Sequence, residues 1–163
     1  MLKVYLIDEA YLKTTVNVTS HKDANEIKIA FKTVEEFYIT DLLSIPLYEL
    51  YVNHVTNGTE LTPRQADLFP KIKLYYALLV QYELMFNLFT VTNKGNEQSQ
   101  NAPSITDIRE KRNEVMSKAE TVKARILEYL SKNKADFPEY YAGSQGNDTP
   151  SSDASGFSPI VFY

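Results

Sequence analysis

Two histidines, His21 and His54, and two pairs of adjacent acids, Asp8-Glu9 and Glu35-Glu36, have the most obvious capacity for chemistry in this sequence. A histidine-based zinc site draws on more ligands at set spacings, and no HExxH pattern occurs. Neighbouring residues of a helix point about 100° apart, so Glu35 and Glu36 do not face each other as an acid–base pair. Two acids from distant segments are a geometry that sequence leaves open. There is no cysteine, which removes disulfides, thiol catalysis and thiolate metal sites together. No GxGxxG, GxxxxGK[ST] or GxSxG occurs, and five glycines offer little for a phosphate-cradling loop. The expectation is a protein that is not an enzyme and holds no metal and no cofactor.

The elements that carry these residues read as helices. The chain has 163 residues, enough for one domain with tails, and 44% of them are hydrophobic. Leu2 to Ile7 reads as a short strand or an extended arm. Thr19, Ser20 and Asp23 suit the start of a long helix whose apolar face carries Ile27, Ala30, Phe31, Val34, Phe37, Tyr38 and Leu42, with Glu35 and Glu36 off that stripe. Ser44-Ile45-Pro46 interrupts it and starts a second helix, which Asn57-Gly58 ends. Thr62 caps a third helix with Pro63 in its first position, and Pro70 either kinks it or separates a short leader from a long rod. From Ile72 to Val91 that rod is apolar nearly all round, so it must be covered on most sides.

A polar loop spans residues 92–103, and Ser104 and Asp107 open the last long helix. Ile105, Ile108, Arg112, Val115, Ala119, Val122, Ile126 and Tyr129 form a heptad seam along about 39 Å of it. The seam packs antiparallel on its own domain, or the rod also touches a neighbouring copy. The fold class expected is mainly α: a small helical bundle around an apolar central helix, with a short N-terminal extended segment and an extended C-terminal tail. Residues 1–142 form the helical domain, 143–156 a flexible Gly/Ser/Asn/Asp linker, and 157–163 an apolar docking segment.

Two features suggest a task. Phe157, Ile160, Val161, Phe162 and Tyr163 form a β-prone plug at the end of the linker. It fits a sheet edge or groove of a partner, or folds back on its own domain. The second is the surplus of apolar surface on the central helix, with 12 tyrosines and no tryptophan in the chain. Tyrosine suits surfaces covered on association. Tyr75, Tyr76, Tyr82 and the seam-breaking Arg112 are the candidate oligomer interface. A net charge of -4 without a basic stripe argues against a protein that grips nucleic acid. No apolar run is long enough for a membrane helix.

Three stretches carry a family resemblance. Ile27 through Tyr51 contains Tyr38-Ile39-Thr40-Asp41-Leu42-Leu43, a proline-marked turn, and Pro46-Leu47-Tyr48-Glu49-Leu50. Leu61 through Gly95 opens on Leu61-Thr62-Pro63 and closes on Val91-Thr92-Asn93-Lys94-Gly95. The last helix opens on Asp107-Ile108-Arg109 and closes at Asp136-Phe137-Pro138-Glu139-Tyr140. In order and spacing these resemble the head-to-tail connector (adaptor, or neck ring) proteins of tailed bacteriophages, especially the crAss-like phages of Bacteroidetes. The resemblance covers about residues 10 to 141. It implies a twelvefold ring docked on the portal protein, beside other neck or tail ring proteins, in the virion neck after assembly in the host cytoplasm. DNA would pass through the lumen as cargo. The family offers no active site to carry over, and the tail lies outside the pattern. The alternative reading is a small helical adaptor module that binds one partner protein through its C-terminal peptide; a helical enzyme or DNA-binding protein is the third.

Overall fold

The chain folds as a mainly α bundle in a computed structural model that describes residues 4–18, 23–86 and 105–142. Residues 4–8 form an irregular arm rather than a strand, with Leu6 and Ile7 buried. A helix not expected from the sequence follows: α1, Glu9–Thr15, capped by Asp8, whose carboxylate accepts from the Tyr11 N–H at 2.7 Å. Its seven residues bury only Leu12 fully, too few for a period to be legible.

Asp23 caps α2, Ala24–Val34, by accepting from the Asn25 N–H at 2.7 Å. Thr19 and Ser20 lie outside the described residues. The helix does not run on regularly. Residues Glu35–Ile39 form a wide π turn, in which the Thr40 N–H reaches the Glu35 carbonyl, before α3, Thr40–Leu43, resumes. The Thr40 hydroxyl is 3.1 Å from both the Glu35 and Glu36 carbonyls and closes the widened turn. One extra residue in the turn shifts which side chains face inward. The buried stripe therefore reads Ile27, Ala30, Phe31, Val34, Glu35, Ile39, Leu42 and Leu43. Phe37, expected in the stripe, points out to solvent, and Glu35, expected off it, is 1% exposed.

Ser44 turns the chain at φ 62°, ψ 156°, a region L-residues seldom occupy. Its hydroxyl is tied to the Glu139 carbonyl at 3.4 Å. Helix α4, Ile45–Asn57, then runs to Gly58, whose φ of 68° is the left-handed C-terminal stop that glycine supplies without a Cβ penalty. A reciprocal cap opens α5, Pro63–Phe86: the Thr62 N–H donates to Gln65 Oε1 at 3.0 Å, and the Gln65 N–H to Thr62 Oγ1 at 3.3 Å. Pro70 removes one backbone donor, yet α5 stays a single helix.

Helix α6, Ile105–Lys132, packs antiparallel on α5. Arg112, near its start, meets Tyr82 near the end of α5, and Tyr129 near its end meets Arg64 and Asp67 near the start of α5. Ile108, Val115, Ala119, Val122 and Ile126 of the expected seam are buried. Tyr129 stands half-buried at its edge, and Leu130 fills the core instead. After a 3-10 turn, Lys134–Asp136, Phe137 inserts fully into the core and α7, Pro138–Ala142, lies against α4. Helix α5 stands at the centre, contacted by α1, α2 and α6. No described helix is long and apolar enough to cross a membrane.

Candidate interaction surface

Of the residues expected at an oligomer interface, Tyr75 and Tyr76 require a correction. Both are buried in the chain's own core, so as folded they offer no area to a neighbour. The apolar surplus of the central helix is spent inside the bundle: α1, α2 and α6 cover Ile72, Leu79 and Val80 as well. The Tyr76 hydroxyl finds internal partners. Tyr76 Oη lies 3.0 Å from the Phe31 carbonyl and 3.2 Å from Glu35 Oε2. Glu35 also acts on the Tyr48 hydroxyl. The hydroxyls of Tyr76 and Tyr48 are held well above their ordinary pKa, by burial first and then by the Glu35 carboxylate. Burial also raises Tyr75, to about 12, with Glu120 adding to the shift. This cluster ties the π turn to α4 and α5. Its one legible signal was the spacing of Ile27, Phe31 and Glu35, four residues apart on the buried face.

Tyr82 and Arg112 are brought together, half-buried, at the other end of the α5–α6 pair. The guanidinium carbon stands 3.9 Å from the Tyr82 ring centroid, and Nε donates to the Tyr82 carbonyl at 3.4 Å. Tyr38 of the π turn is close enough that Glu83 and Arg112 both act on its hydroxyl, which burial raises above its ordinary pKa.

The apolar area left open lies where the sequence did not place it. Phe37 is 72% exposed, Ile45 67% and Ile29 63%. Ile29 and Phe37 would sit about 80° apart around a regular α-helix. The π turn rotates less per residue and draws Phe37 back toward the side of Ile29. Ile45 follows immediately after the Ser44 bend. Phe157, Ile160, Val161, Phe162 and Tyr163, the expected docking residues, lie outside the described residues.

Two depressions flank Phe69. One, of about 640 Å³, lies between the arm and the helices α2, α4 and α5, with Tyr5, Ile27, Phe31, Val55, Phe69 and Lys73 in its walls. The second, of about 510 Å³, involves His54, Leu61 and Pro70. His54 is anchored there, its Nδ1 2.7 Å from the Thr59 carbonyl and its ring edge-on to Phe69. Among the described residues no group of three or more His, Asp or Glu side chains is placed to hold a metal ion.

Residues 39–150 match the family of unknown function DUF6712. The chain belongs to that family. Neither curated proteins nor solved structures give a match. The DUF6712 match begins at the last residue of the π turn and takes in α3 to α7. The larger groove thus joins Val55, Phe69 and Lys73 of the matched region to the arm and α2, which precede it.

Proposed function

We propose that this chain is a structural component of a phage virion neck, forming an oligomeric ring that joins the portal to the tail and lets DNA pass. The observation that carries the reading is the exposed apolar set Phe37, Ile45 and Ile29 on a bundle whose core is otherwise closed. A phenylalanine left 72% exposed gains its burial free energy only when another surface covers it. The half-buried Tyr82–Arg112 pair offers the aromatic and guanidinium chemistry that interfaces favour. The order and spacing of the connector-like stretches supply the phage assignment, and the portal and neighbouring neck or tail rings are the partners it names. A net charge of -4 suits a lumen through which DNA slides without being held.

Size-exclusion chromatography with light scattering, on the purified chain alone and mixed with the portal protein of the same virus, tests the proposal. A ring, or a stable complex with the portal, is expected. A chain that stays monomeric, ignores the portal and captures one soluble partner through residues 157–163 would instead be an adaptor module.

A further inference from the structure

The larger groove is an open aromatic trough. Tyr5 packs on Phe31 at 5.3 Å, and the Lys73 ammonium lies 4.8 Å from the Tyr11 ring and 5.0 Å from the Phe69 ring. The exposed Val4 and Val55 stand on its rim. Its volume, about 640 Å³, lies in the range of sites that bury a small ligand or a few side chains. Two acids and two cations line it. Asp8 caps α1 and Glu9 pairs with Lys13 at 2.6 Å, so both acids are engaged within the arm and α1. Lys28 is exposed and Lys73 lies over two rings. An occupant with an aromatic body and an acid beside it matches that chemistry.

The chain carries such a body elsewhere on its surface. Among the described residues only Phe37 is an exposed aromatic side chain, at 72%. Asp41, also exposed, follows four residues later and so lies close to the same side of the helix, and the exposed Glu36 precedes it. A phenyl ring entering the trough would meet Tyr5, Phe31 and Phe69, aromatic partners that reward edge-to-face or offset contact. The same approach would bring Asp41 toward the lysines. We propose that Phe37 of one copy seats in this groove on the next copy.

The donor is another molecule because the helix forbids the same one. Ile27 and Phe31, which line the groove, lie ten and six residues before Phe37 on one continuous helical rod, about 15 and 9 Å along it. They are buried while Phe37 points to solvent. A rigid helix cannot fold its own Phe37 back into a groove that its earlier turns help to build. The donor is a second copy because ring and groove, complementary in shape and charge, occur on one chain at separate places. Such a contact is head-to-tail, and repeated it closes into a ring; a patch that met itself would stop at two copies. The inference rests on the ring reading and names the surfaces that meet in it.

A photocrosslinking experiment on the full chain, alone and mixed with the portal protein of the same virus, tests it. Copies carrying p-benzoylphenylalanine in place of Phe37 are mixed with isotopically heavy, unmodified copies, irradiated, and mapped by mass spectrometry. The expected products join the light peptide that contains position 37 to heavy peptides containing residues 4–11, 24–31 or 69–73. Lys28→Glu on the heavy copy, at an exposed position, should lower their yield about fivefold while the circular dichroism melt is kept. Asp41→Lys on the light copy should then recover most of that loss. Crosslinks confined to one copy, crosslinks to another surface, no crosslink at all, a yield indifferent to Lys28→Glu, or a loss that Asp41→Lys leaves unrepaired would each overturn the proposal. Light scattering on the same samples separates the two readings: rings or portal complexes that form without the groove crosslink defeat this contact alone, whereas monomers throughout defeat the ring as well.

Discussion

Tyr75 and Tyr76 lie about two turns before Tyr82 on the same helix, yet the two regions use aromatic residues in opposite ways. In the first, both rings are sealed and the Tyr76 hydroxyl finds a carbonyl and a carboxylate inside the fold. In the second, Tyr82 and Tyr38 are half-covered, Arg112 stacks on one of them, and Phe37 beside Tyr38 stands in solvent. Tyrosine content on an apolar helix therefore says little about association. The informative feature is the apolar side chain that the bundle could have covered and did not. The π turn divides the two regions: Glu35, four residues after Phe31, still faces inward to Tyr76, and the widened turn that begins there sends Phe37 outward.

The largest expected effect comes from the sealed region. Tyr76→Ala removes a fully buried ring and the hydroxyl that bonds Glu35 Oε2, so unfolding in urea should show a loss of about 3–5 kcal/mol. A loss below about 1 kcal/mol would mean that the cluster is not what fixes the turn. The same region sets the response to alkali. The Tyr75 hydroxyl moves from an ordinary value of 10.0 to about 12, chiefly through burial, and burial also raises Tyr51 and Tyr76. A raised folded-state value means that this contribution to stability is complete below pH 10.0 and declines as pH climbs toward 12. The part of the tyrosinate absorbance that Tyr75→Phe removes should therefore change in the same window as helical circular dichroism. That part forming well before helix loss would contradict the sealed geometry.

The open region should respond less. Arg112→Ala removes one stacking contact and one long hydrogen bond from a half-buried site, so the expected cost in urea is about 0.5–1 kcal/mol. A cost near that of Tyr76→Ala would erase the distinction between the regions.

The long elements were legible in the sequence because their signals repeat. The seam from Ile108 to Ile126 and the Thr62-Pro63-Arg64-Gln65 start of α5 sit where spacing and capping chemistry place them. The single-residue events were not. A π turn changes no composition, and Phe37 fits the regular stripe as well as Ile39 does until the turn widens. Glu35 was read as lying off the apolar stripe; a carboxylate is costly to bury, and the Tyr76 hydroxyl that meets it comes from 41 residues away. The groove could not be read at all, since its walls come from the arm, α2, α4 and α5, and no local pattern records their meeting.

Phe37→Ser should have the smallest effect on stability and is the most discriminating change. The ring is 72% exposed, so its removal creates no cavity, and unfolding in urea should shift by no more than about 0.5 kcal/mol. If Phe37 is covered when copies meet, the same substitution removes part of a burial term of about 1.5–3 kcal/mol and weakens self-association or portal binding tenfold or more. Sedimentation velocity across a concentration series, beside the urea titration, measures both quantities on one sample. Unchanged stability with weakened association places the functional aromatic on the outer side of the π turn. Lost stability with unchanged association would mean that Phe37 serves the fold after all, and the contrast between the sealed and open regions would fail at the residue on which it rests.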